Sequence, residues 1–390
     1  MGPNRIFRSI IRKYFRLHGA DIVWSDGSYK FTFDTGEEFP FELKDPSFFR
    51  DMAVHGTIAF GESFVDGKWD IDFDQMTPLQ RCMMARGMAR PLPHHLLYHK
   101  VRQTFSRPGR TGDTEASRSN SAHHYDRGND LFASFLDEGM NYSCGFFDDP
   151  EWDLATAQRR KVDLTLDRLQ LFEGAKVLEI GCGWGSVSIE ASRRGCDAIG
   201  INLSTEQIEL AKKRAELVQS NARFEFADYR DFARDREASF DRIVSVAMIE
   251  AVGKRQLRMF FDRIRHMLKP GGLAVVHSIV DWPYGINEPW LERYIFPGSY
   301  APKLTEMVDR ANAAGLRTVG GPYRHDGANY STTLGHWRRR FLANYHTLDQ
   351  ARYPEAFKRQ WIAYLAGCEA AFGTLGLHNA QVVYQRPVEG

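Results

Sequence analysis

The stretch that decides the fold is Val177-Leu178-Glu179-Ile180-Gly181-Cys182-Gly183-Trp184-Gly185. An apolar run leads directly into three glycines that alternate with other residues, and a helical pattern follows. Glycine permits a tight turn and leaves no Cβ between the main chain and an approaching ligand. The stretch therefore predicts a strand, a ligand-binding turn and a helix within an α/β fold.

The spacing of the glycines indicates which ligand this turn binds. Gly181, Gly183 and Gly185 form G-x-G-x-G, whereas a dinucleotide fold uses G-x-G-x-x-G with the pyrophosphate at the helix N-terminus. The shorter spacing, with Glu179 on the preceding strand, favours S-adenosylmethionine over NAD. A glycine-rich turn without any ligand is the alternative.

Short apolar runs and amphipathic helical patterns alternate around this turn, as in a Rossmann-like parallel sheet. Strands are predicted at Lys176–Ile180, Ala198–Asn202, Arg223–Phe226, Arg242–Val246, Leu273–His277 and Gln381–Gln385, and helices at Ser204–Val218 and Lys254–Leu268. A long helical stretch, about 333–372, interrupts the sheet before its last strand. The predicted fold is a class I methyltransferase domain with a helical insertion.

Composition divides the chain of 390 residues into two domains. Residues 104–122 are poor in apolar side chains and rich in Ser, Gly, Thr and Arg, which predicts a linker. It separates a smaller N-terminal domain, 1–103, from the methyltransferase domain, 123–390. Residues Val23–Phe33 alternate in strand fashion around the turn Asp26-Gly27, so the N-terminal domain is expected to be α+β.

The segment Arg5–Arg16 has the pattern of an amphipathic helix with one basic face. It carries five positive charges and no acid, and its apolar face consists of Ile6, Phe7, Ile10, Ile11, Tyr14 and Phe15. Such a helix suits the surface of anionic lipid, so a lipid-binding, membrane-engaging role is expected for this domain. The alternative is an ordinary amphipathic helix that docks on its own domain.

Bulk properties limit the classes of function. A net charge of +1 gives no expectation of nucleic-acid binding, and five cysteines without a C-x-x-C pair give none of a metal site or disulfides. The first residues interleave arginine with isoleucine, unlike a signal peptide, and no apolar run approaches a spanning length. A cytoplasmic protein, peripheral on the inner face of the membrane, is expected. The oligomeric state is left open, with a homodimer among the alternatives.

Several further motifs resemble those of cyclopropane fatty acid synthases. They are H-Y-D-R-G-N-D-L-F-A-S-F-L-D-E-G-M-N-Y-S-C-G at 124–145, F-D-R-I-V-S-V-A-M-I-E-A-V-G at 240–253, L-K-P-G-G-L-A-V-V-H-S-I at 268–279, E-P-W-L-E-R-Y-I-F-P at 288–297 and G-A-N-Y-S-T-T-L at 327–334. The resemblance runs from about residue 120 to the C-terminus. It implies transfer of a methyl carbon from S-adenosylmethionine to the double bond of a phospholipid acyl chain, giving a cyclopropane ring.

The resemblance also implies roles for individual residues. Tyr142 and Ser143 would contact the methionine end of the cofactor, Gln207 the ribose, and Asp228 with Tyr229 the adenine; a helix N-cap is the alternative for Asp228. Asn202 stands where many nucleotide folds place a ribose-binding acid. The expected cofactor-binding set is Tyr142, Ser143, Glu179, Gly181, Cys182, Gly183, Gly185, Asn202, Gln207, Asp228 and Tyr229.

The family uses a bound bicarbonate as general base. The matching catalytic residues here would be Cys144, Glu250, His277, Ile279 and Tyr330, with Cys144 and Ile279 contributing backbone groups.

Two positions depart from the family pattern: Ala251 replaces the usual histidine, and Val280 replaces a smaller residue. They leave open a methyl- or methylene-branched product. A small-molecule N-methyltransferase and a lipid-binding protein without activity are the remaining alternatives.

Overall fold

The computed structural model describes residues 3–88, 128–281 and 289–388, and the predicted linker at 104–122 lies outside them. The chain divides into two units. The N-terminal unit takes its described residues from Met1–Ser106, Glu288–Ile295 and Leu334–Gly376. The α/β unit takes its described residues from Arg107–Asn287, Phe296–Thr333 and Leu377–Gly390.

The N-terminal unit begins with helices and an antiparallel sheet, as its sequence pattern predicts. Its described strands pair in chain order and are β1 (Ala20–Ser25), β2 (Ser28–Phe33), β3 (Glu38–Leu43) and β4 (Trp69–Asp70). The accompanying helices are α1 (Pro3–Leu17), α2 (Ser47–His55), α3 (Thr57–Val65) and α4 (Phe73–Ala85). Asp26 and Gly27 both have positive φ, which suits the two-residue turn joining β1 to β2. Buried aromatic rings fill the core, with Phe31 stacked 4.2 Å from Phe41.

The α/β unit alternates helices with the strands of one sheet. Its strands are β5 (Lys176–Ile180), β6 (Asp197–Asn202), β7 (Arg223–Phe226), β8 (Phe240–Val246), β9 (Leu268–Val280), β10 (Arg317–His325) and β11 (His378–Gln385). Helices in the same region are α5 (Asn129–Ala133), α6 (Leu154–Arg168), α7 (Ser186–Arg193), α8 (Thr205–Leu217), α9 (Tyr229–Phe232), α10 (Leu257–Met267) and, after α11 (Pro289–Tyr294) of the N-terminal unit, α12 (Leu304–Ala313). Within the described residues the strand order is β10-β11-β9-β8-β5-β6-β7.

The sheet confirms the predicted fold class. Strands β7, β6, β5, β8 and β9 run parallel, and β11 is antiparallel to both β9 and β10. All predicted strands are present, with β9 several residues longer than expected. Strand β10 was not predicted, because Gly320-Gly321-Pro322 interrupts its pattern and register shifts accompany it.

The predicted helical stretch near 333–372 consists of α13 (Gly327–Asn344) and α14 (Glu355–Thr374), with Pro354 at the N-cap of α14. The residues of this stretch from Leu334 onward belong to the N-terminal unit, whereas the sequence pattern assigned them to the methyltransferase domain. A buried ion pair joins the two helices, with Arg338 Nε 2.9 Å from Glu369 Oε2. Within the described ranges no helix has the length and apolarity to cross a membrane.

Candidate active site

The glycine turn after β5 has the backbone conformation that only glycine adopts without strain. The φ angles of Gly181, Gly183 and Gly185 are 79°, 51° and 87°. A Cβ on Gly181 would lie 2.6 Å from Met248, and one on Gly185 would lie 2.6 Å from Phe224. A Cβ on Gly183 would meet no atom within 4 Å. Gly183 is therefore the glycine of the turn at which a ligand can approach the main chain.

Glu179, at the end of β5, secures the helix that follows the turn. Its Oε2 accepts hydrogen bonds from Ser188 N at 2.9 Å and Ser188 Oγ at 2.6 Å. Burial raises the pKa of Glu179 to about 7. The carboxyl thus fixes helix α7 relative to the strand, while its predicted contact with the cofactor stays a prediction. Cys182, within the turn, is buried as well.

The segment Asn141–Gly145 lies against helix α6. Lys161 Nζ donates to Ser143 Oγ at 2.9 Å, and Gln158 Nε2 donates to Ser143 O at 2.7 Å. The ring of Tyr142 packs edge-on against Phe132, with 5.1 Å between the ring centroids. The helix therefore holds Ser143 through both its hydroxyl and its carbonyl.

Asn202 and Gln207 form a pair at the end of β6. Asn202 Nδ2 donates to Gln207 Oε1 at 2.5 Å. Gln207 Nε2 is buried and has no hydrogen-bond partner among the described residues. Because an unpartnered buried donor is costly, this amide is suited to a ligand hydroxyl. The ribose contact of Gln207 stays a prediction, and Asn202 orients the amide that would make it.

Asp228 has the geometry of its alternative interpretation, a helix N-cap. Its Oδ1 accepts from Arg230 N at 2.9 Å and from Arg230 Nε at 2.8 Å, which forms a buried ion pair. Tyr229 is buried, and its ring packs edge-on against Phe260. The adenine contacts of Asp228 and Tyr229 stay predictions.

Glu250 and Ile279 are in direct contact. Glu250 lies in the 3-10 turn Ile249–Ala251, and its Oε1 accepts from Ile279 N at 2.7 Å and Ser278 Oγ at 3.0 Å. Its Oε2 is buried and has no hydrogen-bond partner in the described parts of the chain. Burial raises the pKa of Glu250 to about 7. One carboxyl oxygen therefore anchors the side chain, and the other is available to a ligand.

His277 presents a hydrogen-bond donor. Arg168, which can only donate, contacts Gln381 Oε1, so Gln381 Nε2 faces His277 Nδ1 at 3.2 Å. Nδ1 consequently accepts, and Nε2 carries the hydrogen. This Nε2 is buried and makes no hydrogen bond of normal geometry within the described residues, and the side chain of Asn379 interacts with the ring and acts to raise its pKa. Burial lowers the pKa of His277 to about 3, so the ring is neutral at physiological pH.

Cys144 is fully buried, and its Sγ donates to Gly145 O at 3.2 Å. Burial raises the pKa of this thiol far above its ordinary value. It is therefore a neutral thiol rather than a nucleophile.

Helix α13 is bonded to the chain that follows Cys144. Gly145 N donates to Thr333 Oγ1 at 3.0 Å, and Phe147 N donates to Asn329 Oδ1 at 2.6 Å. The helix carries the half-buried Tyr330. Phe146, between these anchor points, stacks its ring 5.8 Å from that of His277. The structure thus places the predicted catalytic residues on neighbouring segments.

Sequence reasoning missed the polar residues that hold this site, namely Gln158, Lys161, Ser278, Thr333 and Gln381. A signal existed for Lys161. It falls at helical spacing in line with Leu154, Ala157 and Thr165, on the buried face of α6. A lysine at such a position indicates a polar partner or a ligand.

Comparison with known proteins decides the family. The model of a family described as mycolic acid cyclopropane synthetase matches residues 113–382. The chain belongs to this family. The cyclopropane-fatty-acyl-phospholipid synthase of Escherichia coli K12 is 34% identical over 349 residues, which cover 89% of this chain and 88% of that relative. The tuberculostearic acid methyltransferase of Mycobacterium tuberculosis is 34% identical over 384 residues, covering 94% and 88%.

Solved structures agree with this membership of the cyclopropane synthetase family. A mycolic acid cyclopropane synthase complexed with S-adenosylhomocysteine superposes with a TM-score of 0.62 at 26% identity, covering 69% of this chain and 98% of that one. Coclaurine N-methyltransferase gives a TM-score of 0.67 at 17% identity over 84% of this chain and 99% of that one, which shows the shared fold alone. This family member is an S-adenosylmethionine-dependent methyltransferase.

Proposed function

We propose that this enzyme transfers a methyl carbon to the double bond of an unsaturated phospholipid acyl chain and closes a cyclopropane ring. The observation that carries the proposal is a pair of buried polar atoms, Glu250 Oε2 and His277 Nε2, that have no hydrogen-bond partner among the described residues. They belong to the residue set that the family resemblance assigns to proton removal. The phospholipid substrate is that named for the Escherichia coli relative.

A weak base held by hydrogen-bonding side chains is sufficient to remove the proton in this reaction. Attack of the π electrons on the sulfonium methyl forms a carbon–carbon bond, breaks the sulfur–methyl bond with release of S-adenosylhomocysteine, and leaves a carbocation in the acyl chain. A proton next to a carbocation is very acidic, so the position of the base matters more than its strength. Loss of a proton from the new methyl group then closes the ring.

Bicarbonate is the base that these residues would hold. When bound, it would supply a weak base with one hydroxyl and anionic oxygens. Glu250 Oε2 would accept from the hydroxyl, and His277 Nε2–H would donate to an anionic oxygen. A buried small anion is tolerated only when it is fully hydrogen-bonded, and these two atoms, which lack partners among the described residues, would supply two of the hydrogen bonds.

A methyl- or methylene-branched product is the second candidate, since one similar relative is a tuberculostearic acid methyltransferase. The departures at positions 251 and 280 bear on this choice. Ala251 is exposed, and Val280 packs in the hydrophobic core of the α/β unit. Neither contributes a polar group beside Glu250, so the ring-forming route is favoured by Glu250 and His277 themselves.

A labelled methyl donor distinguishes the products. With S-adenosylmethionine that carries a fully deuterated methyl group, we expect a product retaining two deuterium atoms, because ring closure expels the third. Mass spectrometry of unsaturated phospholipid vesicles measures retention, and proton NMR must show the high-field signals of a cyclopropane. Saturated vesicles are the control and should take up no label. Retention of all three atoms would establish a methyl branch instead.

We further propose that the N-terminal unit engages anionic membrane through α1. Ile11 and Phe15 are buried and dock this helix on its own unit, as the alternative interpretation states. Ile6 and Ile10, in contrast, are 56% and 49% exposed, and basic side chains flank them. An exposed apolar pair with basic neighbours suits an anionic lipid surface.

The basic residues of α1 do not all remain available for lipid. Arg12 Nε and Arg16 Nε each lie 2.8 Å from an Asp21 carboxylate oxygen, and Arg8 lies over the ring of Tyr29. Arg5 and Lys13 are exposed and form no ion pair within the described residues. Substitutions at these two positions therefore test lipid binding without breaking an ion pair of the described structure.

Reversing these two charges should weaken binding to membranes. At roughly 1 kcal/mol per basic residue near an anionic surface, Arg5→Glu with Lys13→Glu should lower affinity for anionic vesicles about 30-fold or more. Co-sedimentation measures this. Lys213→Glu with Arg310→Glu, both exposed helical positions of the α/β unit, is the matched control. Equal binding by both double variants would exclude α1 as the membrane contact.

A further inference from the structure

Lys161 is a buried cation that the functions assigned above do not use. It is 1% exposed, on helix α6, and its Nζ donates to Ser143 Oγ at 2.9 Å and Asn141 Oδ1 at 3.0 Å. Both acceptors are neutral, and Lys161 forms no ion pair within the described residues. Burial lowers its pKa to about 8. An ammonium in this setting has no negatively charged group bonded to it among the described residues.

The carboxylates around Lys161 are engaged elsewhere. Asp137 accepts from Gly139 N at 2.8 Å and from the main-chain and side-chain nitrogens of Asn141, both at 2.9 Å. Glu179 accepts from Ser188 N and Oγ. Each carboxylate acts through space to raise the pKa of Lys161 without forming a hydrogen bond to it. The ammonium, which has three hydrogens, therefore keeps donor capacity beyond its two neutral acceptors.

Lys161 connects the segment Asn141–Ser143 with the helix that follows the glycine turn. Asn141 Oδ1 accepts from Lys161 and also from Ser186 Oγ, at 2.6 Å, at the start of the helix that follows Gly185. Ser143 Oγ accepts from the ammonium, so its own hydroxyl hydrogen is directed elsewhere. No described residue receives it. Two donors, one of them charged, thus converge beside the glycine turn.

We propose that Lys161 is a positioning residue for the carboxylate of the methionine moiety of S-adenosylmethionine. Its ammonium orients the Ser143 hydroxyl as a donor to that carboxylate and supplies the opposite charge. The proposal rests on the cofactor-binding role assigned to Ser143 and the glycine turn. It adds a recognition element for the amino-acid end of the ligand that is separate from the ribose and adenine contacts.

Two adenosine thioethers test this proposal by calorimetry. S-adenosylhomocysteine carries the carboxylate, whereas 5′-methylthioadenosine lacks the whole amino-acid end. Lys161→Met should lower affinity for S-adenosylhomocysteine about 10- to 100-fold, as loss of a charge-assisted hydrogen bond does. Affinity for 5′-methylthioadenosine should stay within about threefold. A merely structural role would weaken both ligands alike, and that result, or no loss at all, would overturn the proposal.

Ser143→Ala keeps the experiment decisive if Lys161→Met folds poorly. It removes the hydroxyl while leaving the ammonium, and the same selective loss for S-adenosylhomocysteine is expected. In the double variant the two losses should be less than additive, because both act on one carboxylate. Unselective or fully additive losses would overturn the proposal. Wild-type enzyme that binds S-adenosylhomocysteine but forms no cyclopropane would contradict the proposed function alone.

Discussion

Glu250→Gln should lower turnover by about 100-fold or more, as loss of a positioned base typically does, while the affinity for S-adenosylmethionine stays within several-fold. The amide oxygen of glutamine can still accept from Ile279 N and Ser278 Oγ, so the anchoring contacts survive. The NH2 group replaces Oε2, however, and a donor then stands where the proposed anion requires an acceptor. The substitution is isosteric, so a change in turnover reports chemistry rather than packing.

Single-turnover kinetics measures the turnover of Glu250→Gln, and calorimetry measures its affinity for S-adenosylmethionine. Tyr330→Phe should show the same division between turnover and affinity, since it removes only a hydroxyl. Glu216→Gln removes an exposed carboxylate from α8 and is the matched control. Turnover near the wild-type value in both Glu250→Gln and Tyr330→Phe would place the base elsewhere.

Gly183→Val should abolish tight binding of S-adenosylmethionine, with affinity lowered by about 100-fold or more, equivalent to about 2.7 kcal/mol. A Cβ here meets no protein atom within 4 Å, so the side chain would occupy the space into which the ligand fits. The φ of 51° adds backbone strain for a β-branched residue. Calorimetry measures the affinity.

A second glycine substitution controls for the backbone strain that Gly183→Val introduces. Gly174 also has a positive φ, 75°, and open space around its Cβ position, but it lies in the turn before β5. Gly174→Val should destabilise the fold by a similar amount, measured by thermal unfolding, and leave the affinity unchanged. If the two variants bind S-adenosylmethionine equally well, the glycine turn is not the cofactor site.

Local patterns explain which elements could be predicted. Central parallel strands are covered on both faces, so Val177–Ile180 appears in the sequence as an apolar run. Strand β10 lies at the edge of the sheet, and its exposed residues with Gly320-Gly321-Pro322 carry no such run. The assignment of α14, and of α13 from Leu334 onward, to the N-terminal unit depends on contacts such as that of Arg359 with Asp70, which no local pattern encodes.

The candidate site could be proposed from the sequence where its residues interrupt an apolar pattern. Glu250 and His277 are polar side chains in or beside apolar strands, and family motifs surround both. The tautomer of His277 could not be predicted from the sequence, because it depends on the orientation of Gln381. That orientation is set by Arg168, which is more than two hundred positions away from Gln381 in the sequence. Chains of hydrogen bonds between distant segments are visible only once the fold is known.

The neutral state of Cys144 has a consequence for the survival of the enzyme during its own reaction. A sulfonium methyl group is an electrophile, and a thiolate is a far better nucleophile than an alkene. An ionised sulfur in the proposed site would be methylated by the cofactor, and the enzyme would inactivate itself. Complete burial raises the pKa of Cys144 and keeps its sulfur protonated. In the site that the family resemblance implies, the same burial that packs this residue would therefore keep its sulfur from being alkylated by the cofactor.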